Sequence, residues 1–314
     1  MKKMSAFLVL LSLLFCVSCA STQGSRYREG ENVGQETTLT VEDERRLARE
    51  ALPKMLKDYP PARNGELQKY VSDLGMKIVR ANNLEGNPYH YEFTVVDVET
   101  VNAFALPAGK VFVTAPLIAM TSNEAELAGV IGHEVGHVVA RHAAERMYVM
   151  EKNKNKTWLY AAGGGIVGAA AGFGLGMLIC PDGDPECLGK ATLIGGAVGA
   201  GGALLVEKYQ FLANSREDEM EADRIGFRVA VGAGYDRNEV GKFYEKLLRM
   251  EKQAGKTDSS LMKRLSDAMS THPPSEERVR QMNEMAAESP AGSPSIVSTP
   301  GHARARELAA GLRR

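Results

Sequence analysis

Apolar residues recur at a helical spacing near the start of the chain. Between Val41 and about Leu84 they return every three or four positions, which is the period of an amphipathic helix. Pro53 and the Pro60-Pro61 pair interrupt this pattern. We therefore predict two helices that are separated by these prolines.

A β region follows the two helices. Residues 91–95 alternate large apolar and polar side chains, and residues 101–106 and 111–114 form two further short apolar runs. Residues 107–110, which include Pro and Gly, indicate a turn between the last two runs. We predict a small antiparallel sheet from these strands.

The next predicted helix begins after Asn123 and extends to about Tyr148. Asn123 is a favourable N-cap and Glu126 is placed for a capping box. Further helices are predicted over residues 209–230, 237–250 and 276–287. These elements predict a mostly helical α+β domain over residues 41–287. Ser, Pro and Gly dominate after that point, so we predict a flexible tail over residues 288–314.

A Gly- and Ala-rich insert interrupts the domain over residues 157–206. Residues 157–180 and 191–206 contain no charged residue, which predicts two closely packed helices. A buried hairpin is favoured over a membrane-inserted one, because Ala and Gly are weakly hydrophobic and the second segment is short for a membrane span. Cys180 and Cys187 flank the intervening turn, and we predict a disulfide between them because an exported protein meets an oxidising compartment.

The N-terminal residues predict export. A basic start, an apolar run over Ala6–Val17 and the small residues after it indicate a signal peptide over residues 1–18. The end of the run resembles a bacterial lipobox, which predicts lipidation of Cys19, with Cys16 at a position that is usually aliphatic. Cleavage without lipidation is the alternative. Residues 19–40 are polar and predict a flexible tether, and with it a membrane-anchored protein on the periplasmic side of the bacterial envelope.

The composition is that of an ordinary globular protein. Of 314 residues, 44% are hydrophobic and 25% are charged, so a substantial core is expected. The 38 basic and 39 acidic residues nearly balance. This balance gives no support to nucleic-acid binding, which requires a basic face.

The sequence His133-Glu134-Val135-Gly136-His137 carries the candidate chemistry. Four residues make about 1.1 helical turns, so His133 and His137 lie on one helix face, roughly 6 Å apart along the axis. Two imidazoles on one face can bind one zinc ion per chain, and Glu134 is offset from them, as suits a general base. The alternative is a helix with two core or solvent-facing histidines. Apolar neighbours indicate a buried helix, in which such polar groups need partners.

A third metal ligand is expected in the acidic segment 217–223. Glu219 and Asp223 lie four residues apart and share a helix face, so one could bind zinc while the other accepts the free N–H of a histidine ligand. The spacing alone does not choose among the acids of this segment, and an acidic, solvated helix face is the alternative. The other candidates are Glu217, Asp218 and Glu221.

These motifs resemble a known family. Residues 123–137, with Ser-Arg before Glu219 and Ala222-Asp223 after it, resemble the HtpX/BepA-type branch of the CAAX-prenyl-protease metallopeptidases, which are zincin-like enzymes called gluzincins. The matching stretches span about residues 101–278. The resemblance implies that Glu219 is the third zinc ligand and that Asp223 orients the histidine ligand His133.

The resemblance extends to two elements beside the metal. Residues 101–107 resemble the family's strand beside the cleft, so Asn102 and Ala103 are candidates for pairing with an extended substrate. Thr271-His272-Pro273-Pro274 resembles a family element in which the histidine gates the site or steadies the oxyanion. The alternative for His272 is a capping role. The remaining histidines match no element and are predicted to be structural or exposed: His90, His142 and His302.

The expected function is that of a zinc endopeptidase. Its substrates would be unfolded or misassembled envelope proteins, and its partners would be protein or peptide substrates and a membrane, through the lipid anchor. The alternative is a latent or non-proteolytic, chaperone-like binding module on the same fold. The long C-terminal repeat domain of BepA-type proteins and the clear membrane spans of HtpX-type enzymes are not found in this sequence, which is expected for a minimal, lipid-tethered member.

Overall fold

The computed structural model describes most of the predicted domain. The described residues are 37–86, 89–146, 148, 215–254, 264–265, 268–290 and 295–312. The helices are α1 (Val41–Asp58), α2 (Gly65–Ala81), α3 (Ala115–Met120), α4 (Glu124–Val139), α5 (Arg216–Gly232), α6 (Lys242–Ala254), α7 (Glu276–Glu288) and α8 (Pro300–Gly311). The strands are β1 (Glu92–Val96), β2 (Ala103–Leu106) and β3 (Lys110–Thr114). The predicted mostly helical α+β class is confirmed.

Several predictions concern residues outside these ranges. They are the signal peptide over residues 1–18, lipidation of Cys19, the insert over residues 157–206 and the disulfide between Cys180 and Cys187. The tether over residues 19–40 is described only from residue 37. None of the helices that the structure describes is long and apolar enough to cross a membrane.

The three strands form a mixed sheet in the order β1-β3-β2. β2 pairs antiparallel with β3 across the tight turn Pro107–Gly109, whereas β1 pairs parallel with β3. The predicted antiparallel sheet is therefore wrong for one of its two pairs. Residues 97–102 carry the chain to the far side of β3, so that β1 and β3 run in the same direction. The alternation of side chains along a strand is the same in parallel and antiparallel pairs, so it does not show which strand will be the partner.

Helix α1 covers one face of the sheet. Met55 packs with Phe104 and Phe112 in a small apolar cluster, and the two phenylalanine rings stack with their centroids 5.1 Å apart. Pro53 lies inside α1, so the prediction that it separates two helices is wrong. Proline removes one backbone hydrogen bond from a helix, and the apolar burial of neighbours such as Met55 offsets that cost.

Helices α4 and α5 pack with their backbones in contact. A Cβ atom at Gly132 would lie 2.7 Å from the carbonyl oxygen of Gly226, and one at Gly136 would lie 2.7 Å from that of Ala222. In the other direction, a Cβ atom at Gly226 would lie 2.6 Å from the backbone nitrogen of His133. Glycine is therefore needed at these positions, and this contact sets the distance between the side chains that the two helices direct towards each other.

Capping side chains define where α4 and α5 begin. The Asn123 side chain accepts a hydrogen bond from the Glu126 backbone N–H at 2.8 Å, as predicted for an N-cap. Glu126 turns back to accept from the Ser122 backbone N–H at 2.8 Å. Ser215 and Asp218 form a reciprocal capping box at the start of α5. The two helices that approach most closely thus have well-defined first turns.

Residues 295–312 contain helix α8, so the prediction of a flexible tail is wrong for them. His302, Ala305 and Ala309 are buried, and His302 Nε2 lies 2.9 Å from Thr121 Oγ1, next to the end of α3. The buried stripe consists largely of alanine, whose weak hydrophobicity gives little periodic signal. A threonine N-cap followed by proline at the first helical position was the start signal, and the Ser- and Pro-rich composition before it obscured that signal.

Candidate metal centre

Three histidines and one glutamate from separate elements meet in the interior. His133 and His137 lie one turn apart on α4, with their Nε2 atoms 2.9 Å apart. Glu219 on α5 brings Oε2 to 3.4 Å from His133 Nε2 and Oε1 to 3.3 Å from His137 Nε2. His272, which precedes α7, places Nδ1 3.2 Å from His133 Nε2 and 3.1 Å from Glu219 Oε1. We refer to these four residues as the donor cluster.

The spacing of the donor cluster fits a single metal ion. Its ligand atoms all lie within 4.8 Å of one another, and all four residues are buried. Tetrahedral zinc has Zn–N and Zn–O distances of about 2.0–2.2 Å, which places its ligand atoms about 3.3 Å apart. The separations of 2.9 to 3.4 Å in the donor cluster are close to that value. Imidazole and carboxylate are also ligand types that suit zinc, so the residues present fit this metal.

The charges in the donor cluster favour a cation. Burial alone would raise the pKa of Glu219, but nearby His272 and Arg278 hold the pKa of this carboxyl well below its usual range. Burial alone would lower the pKa of His133, but the Glu219 carboxylate raises it to about 9. Burial and then the neighbouring His133 lower the pKa of His137 well below its usual value. Without a metal, a proton on His133 thus supplies the positive charge that the carboxylates attract.

The structure separates the acidic residues that spacing left open. Glu217 is exposed, Asp218 caps α5 and Glu221 faces His142. Glu219 is the acid of this segment whose oxygens lie against the Nε2 atoms of both α4 histidines. The geometry therefore agrees with the ligand that the resemblance implies.

Asp223 and Arg278 support the donor cluster from one side. His133 Nδ1 lies 2.9 Å from Asp223 Oδ1. The Arg278 guanidinium donates to both Asp223 oxygens at 2.7 Å and lies 2.8 Å from Glu219 Oε2, while its Cζ lies 4.7 Å from the centre of the Tyr244 ring. Sequence reasoning missed Arg278, because an arginine on a polar helix gives no signal until its buried partners are known.

His142 supports the donor cluster from the other side. Its Nδ1 lies 2.8 Å from His137 Nδ1, and its Nε2 lies 3.3 Å from Glu221 Oε2. His142 is fully buried. The sequence assigned it no functional role, because it matches no element of the family resemblance.

Glu134 stands beside the donor cluster without joining it. Its Oε1 lies 3.5 Å from His272 Nε2, and its Oε2 has no hydrogen-bond partner among the residues that the structure describes. Burial raises the pKa of Glu134. A buried carboxylate with a free oxygen beside a metal site can accept a proton from a water molecule, which is the role predicted for this residue.

Asn102 and Ala103 lie where the chain enters β2, at one edge of the sheet. Asn102 is fully buried, and its Oδ1 accepts a hydrogen bond from Thr271 Oγ1 at 3.3 Å, next to His272. Within the described ranges, the Asn102 side-chain Nδ2 has no partner. A free amide donor and a strand edge therefore lie close to the donor cluster.

Two histidines one helical turn apart, a third ligand carboxylate and a free carboxylate beside them form the arrangement that zinc metallopeptidases use. Comparison with known protein families identifies which one. Residues 61–286 match the model of peptidase family M48, and the chain belongs to this family. The match includes every residue of the donor cluster, and it confirms the family resemblance seen in the motifs.

Individual relatives are proteases of bacteria and mitochondria. The chain is 28% identical to the beta-barrel assembly-enhancing protease of Escherichia coli (strain K12) over 243 residues, which cover 77% of this chain and 44% of the relative. It is 35% identical to the mitochondrial metalloendopeptidase OMA1 of Arabidopsis thaliana over 197 residues, covering 63% and 31%. The OMA1 of Schizosaccharomyces pombe is 29% identical over 251 residues, covering 78% and 62%. The chain thus spans less than half the length of the Escherichia coli relative.

Proposed function

We propose that this chain is a zinc-dependent endopeptidase that cleaves unfolded or misassembled proteins of the bacterial cell envelope. The observation that carries the proposal is Glu134, a buried carboxylate with a free oxygen beside the donor cluster. Membership of peptidase family M48 supports the reaction. The name of the Escherichia coli relative, a beta-barrel assembly-enhancing protease, supports the envelope and its proteins as the setting.

His133, His137 and Glu219 would hold one zinc ion. Zinc in such a site acts as a Lewis acid that polarises the scissile carbonyl and makes water more acidic. Asp223 faces the outer nitrogen of His133 at 2.9 Å, which orients the ring towards the centre of the cluster. Arg278 contacts both carboxylates and keeps them ionised, as a metal site requires.

Glu134 would carry out the proton transfers. Its free oxygen accepts a proton from the attacking water, and the resulting acid donates that proton to the leaving amide nitrogen. The raised pKa of Glu134, caused mainly by burial, suits a group that must both accept and return a proton near neutral pH. His272, whose Nε2 lies 3.5 Å from Glu134 Oε1, would donate to the negative charge that develops on the carbonyl oxygen.

An extended polypeptide fits the edge of the sheet. β2 forms one edge, so a substrate strand could add to it through backbone hydrogen bonds, beginning at Ala103. The free Nδ2 of Asn102 would donate to a carbonyl oxygen of that strand. Strand addition requires an unfolded segment, which is the reason to propose unfolded or misassembled proteins as substrates.

Substituting Glu134 tests this proposal. Glu134→Gln keeps the shape but removes the base, so cleavage of an unfolded test protein such as casein should fall by at least 100-fold, with about one zinc per chain retained. Glu284→Gln, whose parent side chain is 63% exposed on α7, is the matched control and should be fully active. Activity in Glu134→Gln equal to that of the control would refute the mechanism. Failure of Glu134→Gln to capture any envelope protein on pull-down would refute the substrate class.

A latent form of the same enzyme is the second candidate. The observation that favours it is His272, whose Nδ1 lies within 3.3 Å of His133 and Glu219 and so fills one corner of the donor cluster. A fourth protein ligand would leave no open position for water. If the site is gated in this way, His272→Ala should cleave casein faster than the wild-type chain. Equal inactivity of both would favour the chaperone-like binding role.

The N-terminal segment and the insert over residues 157–206 have proposed roles as well. We propose that lipidated Cys19 anchors the chain to a membrane, with residues 19–40 as tether, and that Cys180 and Cys187 form a disulfide in the periplasm. Incorporation of labelled palmitate that is lost in Cys19→Ala would support the anchor. If the wild-type protein incorporates no label in the same experiment, the lipid anchor is refuted. Peptide mass mapping without reduction tests the disulfide.

A further inference from the structure

The ligand His137 has a buried neighbour whose role is open. We propose that His142 is a positioning residue, which sets the tautomer and orientation of His137 by accepting a hydrogen bond from its Nδ1. This inference rests on the proposed function, because it concerns how His137 presents Nε2 to zinc.

The hydrogen bonds allow one consistent arrangement of protons. His137 Nε2 faces the donor cluster, 3.3 Å from Glu219 Oε1, so as a metal ligand the neutral ring carries its proton on Nδ1. That nitrogen lies 2.8 Å from His142 Nδ1, which must then be the acceptor. His142 consequently carries its own proton on Nε2, at 3.3 Å from Glu221 Oε2 and 3.7 Å from Asp218 Oδ1. Every proton has an acceptor, and the chain of contacts ends on a carboxylate.

A reversal of the backbone brings His142 back onto His137. Helix α4 ends at Val139, and Arg141 then adopts a φ of 56°, in the left-handed region that residues other than glycine rarely occupy. The chain resumes a helical path over residues 142–146. Because of this turn, the His142 ring faces the outer side of the His137 ring, with ring centroids 5.0 Å apart.

Buried contacts hold Arg141 in this conformation. Its Nε donates to Glu44 Oε1 at 2.7 Å, and its Nη2 donates to the Leu39 carbonyl oxygen at 2.6 Å. The Tyr89 hydroxyl donates to the second Glu44 oxygen at 2.8 Å. Arg141 and Glu44 are each only 2% exposed. An unfavourable backbone angle that several buried partners maintain is typical of a functional site, and here it delivers His142 to His137.

The two α4 ligands are thus supported in different ways. His133 faces the carboxylate of Asp223 directly, at 2.9 Å. His137 faces a neutral imidazole, and the Glu221 carboxylate lies one ring farther away. A neutral acceptor adds little negative charge to His137, so the contribution of His142 should lie in fixing ring orientation and tautomer rather than in raising ligand basicity.

Two variants separate hydrogen bonding from packing. His142→Phe keeps an aromatic ring but has no acceptor, whereas His142→Asn keeps an oxygen acceptor near the position of Nδ1. Zinc affinity is measured on the purified mature chain by competition with a chromogenic chelator. We expect His142→Phe to bind zinc about 10–100-fold more weakly, as is usual when an outer partner of a metal-bound histidine is lost, and His142→Asn to recover most of that loss. Thermal unfolding of the zinc-free chains reports packing separately.

The outcomes distinguish the inference from the proposed function. If the wild-type chain binds one zinc and His142→Phe binds it within twofold as tightly, the inference is overturned and the proposed function stands. The same holds if His142→Asn is as weak as His142→Phe. Zinc absent from the wild-type chain overturns both. If His142→Phe does not fold, nitrogen chemical shifts of the zinc-loaded wild type decide: they should show the proton of His142 on Nε2, and a proton on its Nδ1 would overturn the inference.

Discussion

The close contact between α4 and α5 should control metal binding, and Gly226→Ala tests this directly. The added Cβ atom would lie 2.6 Å from the His133 backbone nitrogen, 2.7 Å from its Cα and 2.9 Å from the Gly132 carbonyl carbon. All three atoms belong to the backbone, so no side chain can rotate away. The shortest approach falls about 0.8 Å below the 3.4 Å at which ordinary contact begins, and α4 must move away from α5 by a comparable distance.

The expected effect is larger on the site than on the fold. Overpacking of this kind costs about 1–3 kcal/mol, and the higher helix propensity of alanine returns about 1 kcal/mol. The free energy of unfolding should therefore fall by roughly 0–2 kcal/mol. The same displacement separates His133 from Glu219, which come from opposite sides of the contact. A misplacement near 1 Å can cost about 100-fold in activity, so peptidase activity should fall by roughly 10–100-fold.

The assay compares zinc affinity, casein cleavage and urea unfolding of Gly226→Ala with those of Gly65→Ala. Gly65 is the first residue of α2 and has no atom within 4 Å of its would-be Cβ, so Gly65→Ala should match the wild-type chain in all three measurements. Gly226→Ala with zinc affinity and activity within twofold of the control would refute the idea that helix spacing sets the ligand geometry.

Three further predictions follow from buried groups. Arg278→Leu removes the positive partner of two buried carboxylates and should lower the free energy of unfolding in urea by about 3–5 kcal/mol. Arg280→Leu, at a side chain that is 65% exposed, should change it by at most about 0.5 kcal/mol. Equal effects of the two substitutions would contradict the role of Arg278 as a counter-charge. The pKa of His133 is raised in the metal-free fold to about 9 from 6.5. Protonated His133 should therefore add about 3 kcal/mol to the free energy of unfolding, fully below pH 6.5 and less as the pH rises to 9. If the free energy of unfolding of the chelated chain does not fall over this range, the proton is not held there. Ala305→Glu buries an unpaired carboxylate under α8 and should lower stability by about 2 kcal/mol, unlike Ala303→Glu at an exposed position of the same helix; no difference between them in thermal unfolding would refute the docking of α8.

Local signals predicted the helix that carries the chemistry. Asn123 supplies the N-cap of α4, and the spacing of His133 and His137 fixes their common face because it depends only on the helical repeat. The spacing could not select the third candidate ligand in the same way. Glu219 and its acidic neighbours have the same local pattern, and only the approach of α5 to α4 determines which carboxylate enters the interior. The family resemblance identified Glu219 where spacing could not.

Features that depend on distant partners escaped prediction. The pairing of β1 with β3 depends on where the chain crosses, and the strand pattern does not record it. Arg278 and His142 are polar residues in polar or mixed surroundings along the chain, and they become recognisable only when the fold buries them against Asp223 and His137. Helix α8 docks through alanines, which bury area by close approach rather than by size.

The residues of the donor cluster are also widely scattered along the chain, and this has a consequence for when the cluster can form. His133 and His272 are 139 positions apart. Thr299, the N-cap of α8, donates a hydrogen bond from its side chain to Glu124 in the first turn of α4, 175 positions away. At about 5–20 residues per second, ribosomes need on the order of 10 s to make the chain between the two histidines. A chain that has been made only as far as Glu219 still lacks His272, Arg278 and α8, so the packed cluster forms only after these later segments have been made and folded. The centre is therefore assembled late, after the segments that carry most of its supporting contacts have left the ribosome.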